Sequence, residues 1–144
     1  MGKPLLQWGG YFALIQGALA LVLGLLTYIE PGLMRWAWPS QPELVERYSA
    51  VVRVIGAVAI AAGLAGLAVW RTKDWEKSRL VALFFIVFYL LAGIALILTQ
   101  ALGAAQFTPA QTPTIWLYGV LSLLLGIGWL YLWRAEEGGF RLGL

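Results

Sequence analysis

Charged side chains fall in clusters along this chain, and the stretches between the clusters are long and apolar. No charge interrupts the run from Pro4 to Ile29, and none occurs between Leu80 and Trp133. A bilayer's hydrocarbon core takes roughly 20 helical residues to cross. The first run therefore fits one helix, whereas the last must fold back on itself. Gly103 suits a helix C-terminus, and Thr108-Pro109 and Thr112-Pro113 each read as an N-cap followed by proline at the first helical position. The pattern predicts spans over about 5–29, about 49–70, about 80–102 and about 114–133.

Punctuation refines two of these boundaries. Pro31-Gly32 stops the first helix. Ser40-Gln41-Pro42-Glu43 is a capping box, which predicts that the second helix starts before its span and projects from the bilayer with a Glu43/Arg47 pair on its surface. Trp8, Tyr28, Trp36, Trp38, Tyr48, Trp70, Trp75, Trp116 and Trp133 fall at or beside the proposed ends. Amphipathic rings prefer that headgroup level.

Composition turns this pattern into a fold class. Of 144 residues, 61% are hydrophobic and 12% charged, and the mean hydropathy is +0.81; soluble domains carry about a quarter charged residues. The expectation is an all-α integral membrane protein, a four-helix transmembrane bundle of up-down-up-down topology forming one domain over residues 1–144. The first apolar run is too long for a signal h-region and is expected to stay as a helix. Lys3, Arg71, Lys73, Lys77, Arg79, Arg134 and Arg141 share one side, against Arg35, Arg47 and Arg53 on the other. The positive-inside rule then places both termini in the cytoplasm, most simply at a bacterial cytoplasmic membrane.

Cysteine and histidine are both absent, which removes disulfides, thiolate metal sites and the usual haem ligand. No cofactor or metal site is expected. Basic residues flank apolar spans rather than forming a polar face, so nucleic acid is not an expected partner. The expected neighbours are membrane lipids and other transmembrane subunits.

Membrane helices pack through small residues that let backbones approach. Gly10, Ala13, Gly17, Ala20 and Gly24 form such a stripe on the first span, and Gly56, Ala59, Gly63 and Gly66 on the second. The two seams, carried by Gly10, Gly17, Gly24, Gly56 and Gly63, are predicted to meet in an antiparallel pair. Gly119, Ser122 and Gly126 make a shorter stripe on the fourth span. Bulky Phe84, Phe85, Phe88 and Tyr89 crowd the third.

Arg53 is the one charge within a span, on the face of Gly56, and Glu30 lies at the matching end of the first span. Intramembrane charge is costly by about 2.5 kcal/mol or more. The pair Arg53 and Glu30 is expected to be a structural ion pair or an anionic-lipid contact. Gln16 and Gln100 are expected to hydrogen-bond between helices, and the Glu136-Glu137 carboxylates to be solvated in a tail. Trp36 and Trp38 are expected at the interface or on a partner protein, and Phe85, Phe88 and Tyr89 on a partner surface.

Neither a nucleophile–base constellation nor a phosphate loop is visible, so no enzymatic activity is expected. The functional expectation is a non-catalytic accessory or structural subunit of a larger membrane complex, such as a respiratory or photosynthetic electron-transfer assembly. The alternative is an oligomeric small-molecule or lipid carrier or channel.

Overall fold

The computed structural model describes residues 3–31, 49–103 and 112–138. Four helices make up this part: α1 (Gln7–Ile29), α2 (Ser49–Thr72), α3 (Trp75–Gly103) and α4 (Thr112–Glu136). Each is long and apolar enough to cross a membrane. At 1.5 Å per residue, the 29 residues of α3 reach about 43 Å, well beyond a hydrocarbon core of about 30 Å. The excess lies at its start, where Glu76, Lys77 and Arg79 are exposed.

That start comes five residues earlier than the apolar run, and its cause is local. Asp74 acts as the N-cap, its Oδ1 accepting the Glu76 N–H at 3.1 Å. Lys77 pairs with the same carboxylate at 3.5 Å. What reads as a loop over 71–79 is therefore a two-residue turn, Lys73-Asp74. Lys73 adopts φ 51° to make it, a left-handed conformation in which a side chain is strained. Likewise α4 continues past Trp133 to Glu136.

The helices form two tight antiparallel hairpins, and glycine sets the distance in each. A Cβ at Gly17 would lie 2.8 Å from Leu67 N, one at Gly24 2.6 Å from Ile60 N, and one at Gly56 2.7 Å from Tyr28 N. The α1 and α2 backbones are in contact along this line, closer than any larger residue permits. In the second hairpin, Gly93 and Gly119 face each other across α3 and α4, and Leu90 seats over Gly126.

In the core, bulky side chains join one hairpin to the other. Leu132 of α4 lies against Gly9 of α1, and Phe12 of α1 against Gly128 of α4. Between them Trp129 packs in tilted contact with Phe12 at 5.3 Å and with Phe85 of α3 at 4.9 Å. Ala13, Ala82, Phe85, Trp129 and Leu132 are buried, and this is the centre of the core. Such aromatic contacts contribute about 0.5–1.5 kcal/mol each beyond area burial. Outside that core, exposed leucines, valines and isoleucines cover all four helices, as lipid-facing surfaces do.

Phe85 and Tyr89 are therefore not an outward aromatic face, whereas Phe88 is half-buried. Phe85 is 0% and Tyr89 8% exposed, because Trp129 supplies the internal match; the exposed ring is that of Phe84. The Ser40–Glu43 capping box, the projecting start of the second helix, Trp36, Trp38 and the Thr108-Pro109 turn lie outside the described residues.

Candidate functional site

One end of the bundle gathers the start of α1, the α2–α3 turn and the end of α4. The segment before α1 runs extended beside the turn, Pro4 bridging to Asp74. Leu5 N–H donates to Lys73 O at 3.0 Å, and Trp75 N–H donates to Lys3 O at 2.8 Å. These bonds satisfy backbone groups that neither α1 nor α3 can use.

Glu136 closes the cluster from the other hairpin. Its Oε1 accepts the Leu6 N–H, and its Oε2 lies 3.4 Å from Lys3 Nζ. The residue is only 2% exposed. A carboxylate at the C-terminus of α4 opposes that helix's own dipole, but here it faces the positive N-terminal end of α1. Leu6, the N-cap residue of α1, has no side chain able to cap; Glu136 supplies the missing acceptor across the bundle.

Glu137 makes a second tie one residue on. Its Oε1 accepts from Trp75 Nε1 at 3.1 Å and pairs with Arg79 Nε at 3.3 Å. The Arg79 guanidinium sits over the Trp133 ring at 5.3 Å, and Trp75 meets that ring edge-on at 5.4 Å. The expectation of a solvated Glu136-Glu137 tail is thus corrected. Both carboxylates are engaged, because the end of α4 lands on the start of α1 and α3.

A second polar contact lies deep in the core. Gln16 Nε2 donates to Tyr89 Oη at 2.7 Å, joining α1 to α3 within the apolar interior. Gln16 Oε1 and Trp129 Nε1 are buried nearby with no hydrogen-bond partner among the described residues. The rings of Phe85 and Phe88 pack against Tyr89, and no three metal-ligating side chains converge among the described residues.

The other residues singled out in the sequence are dispersed. Gly17 and Gly24 meet Gly63 and Gly56 across the first hairpin, whereas Gly10 lies outside that line, where a Cβ would be a comfortable 3.9 Å from Trp70 and Leu5. Arg53 is exposed on α2 rather than turned to α1. Lys3, Lys77 and Arg79 form their ion pairs at the opposite end of the bundle. Gln100 is buried near the end of α3.

Sequence reasoning missed Lys3, Asp74, Arg79, Glu136 and Glu137 as a group. A signal existed: an even number of spans puts the N-terminus, the 71–79 segment and the C-terminal tail on one side, so opposite charges there are within reach. Comparison with known protein families, curated proteins and solved structures finds no match to this chain.

Proposed function

We infer that this protein is a non-catalytic structural subunit of a larger membrane complex. One observation carries the reading. At the basic end Lys3, Trp75, Arg79, Glu136 and Glu137 are engaged with one another, and the centre of the bundle is filled by Phe12, Phe85, Trp129 and Leu132. Packed rings at the centre of the bundle suit a supporting role better than a conducting one. What the chain offers its surroundings is a rigid apolar exterior, on which membrane helices associate through shape.

The chain crosses the membrane four times with both termini in the cytoplasm. Lys3, Arg71, Lys73, Lys77, Arg79 and Arg134 at one end support this orientation. A respiratory or photosynthetic electron-transfer assembly is the kind of complex proposed, since such assemblies recruit small helical subunits without cofactors. The test is affinity purification of the chromosomally tagged chain after mild detergent extraction. The same transmembrane partners in constant ratio support the subunit reading, and recovery of the chain alone sinks it.

A further inference from the structure

At the basic end, the first turns of α1 diverge from the last turn of α2 and leave an open cleft of about 400 Å³, lined by Gln7, Gly10, Tyr11, Trp70 and Lys73 with the Leu5-Leu6 segment. Gly10 forms its floor: a Cβ there would meet nothing closer than 3.9 Å. Unlike Gly17 and Gly24, it is not held small by an opposing backbone. The walls are braced, because Leu5 N–H donates to Lys73 O and Lys73 N–H to Val69 O. A preformed site loses little entropy on binding.

The chemistry of the lining points to one class of ligand. Among the described residues, Glu136, Asp74 and Glu137 pair with Lys3, Lys77 and Arg79, and the Lys73 ammonium has no ion pair. Trp70 and Tyr11 are amphipathic rings at headgroup depth. Below them Ile15, Leu19 and Val22 form an exposed stripe down α1, a surface for acyl chain. We propose that this cleft seats the headgroup of an anionic phospholipid, its phosphate on Lys73 between Trp70 and Tyr11 and its chains along the α1 stripe. This site is separate from Arg53 at the far end and independent of the subunit reading.

The test uses the full chain in neutral detergent, with phosphatidylglycerol and phosphatidylcholine titrated separately and retained lipid read by native mass spectrometry. Preferential retention of phosphatidylglycerol is expected, weakened about fivefold in Lys73→Gln and by a similar factor in Lys73→Gly, which keeps the turn's backbone. Gly10→Leu, which fills the floor, is expected to abolish the preference, whereas Arg71→Gln is expected to leave it. Equal retention of the two lipids overturns the proposal, as does equal loss in Arg71→Gln, which would mean diffuse charge. Full displacement by millimolar inorganic phosphate also overturns it, since the site would then recognise a free anion.

Discussion

The Glu136 carboxylate accepts the Leu6 backbone N–H across 130 residues of sequence, so the last residue of α4 caps the first turn of α1. That contact belongs to both hairpins at once. It adds a polar tie to the apolar contacts of Leu132 on Gly9 and Phe12 on Gly128.

Removing this cap is expected to be costly. Glu136→Ala strands a buried N–H and the Lys3 ammonium, a loss of about 1–3 kcal/mol. Glu137 is half-exposed, so Glu137→Ala is expected to lose under about 1 kcal/mol. Thermal unfolding in detergent measures both. Glu136→Gln, which keeps an acceptor for Leu6 but not the ion pair, is expected to fall between them.

Glycines that look alike in sequence are expected to behave differently. Gly24→Val places a Cβ 2.6 Å from Ile60 N, and the backbones must part, at about 1–3 kcal/mol. Gly10→Ala makes only ordinary contact with Leu5 and Trp70 at 3.9 Å and gains helix propensity, so it is expected to be neutral or stabilising. Equal loss of melting temperature in the two variants would count against the hairpin register.

This contrast marks how far the sequence was legible. The four spans were, since length and absence of charge suffice in lipid. The first hairpin was also legible, because Gly17, Gly24, Gly56 and Gly63 announce a backbone approach. The docking of α3 was not. Both α3 and α4 are apolar on every side, and lipid is as apolar as a core, so nothing in polarity distinguishes inward Phe85 from outward Phe84. Glu136 was misplaced for another reason: its partners depend on where three chain segments converge, and no local pattern encodes that.

The buried Gln16–Tyr89 contact is open to a double-mutant cycle. Tyr89→Phe removes the Oη and is expected to destabilise the bundle, and Gln16→Met is expected to mask that effect. The coupling expected is about 0.6 kcal/mol, the average for interhelical hydrogen bonds in membrane. Strict additivity would show that the bond contributes nothing to joining α1 and α3.

Lys73 is held at φ 51°, where glycine is at ease. Lys73→Gly is expected to raise the melting temperature in lipid-free neutral detergent, by up to about 1 kcal/mol of relieved strain. The same variant is expected to bind phosphatidylglycerol less well. A gain in stability with a loss of lipid separates the turn's backbone from the cleft's charge.

The most direct test of the central claim is the intact mass of the native assembly containing this chain, extracted in mild detergent and measured by native mass spectrometry. A single heteromeric mass is expected, in which this chain of 15.8 kDa is present in fixed stoichiometry with other transmembrane chains. A spectrum dominated by the isolated 15.8 kDa chain, or by its homo-oligomer alone, would contradict it.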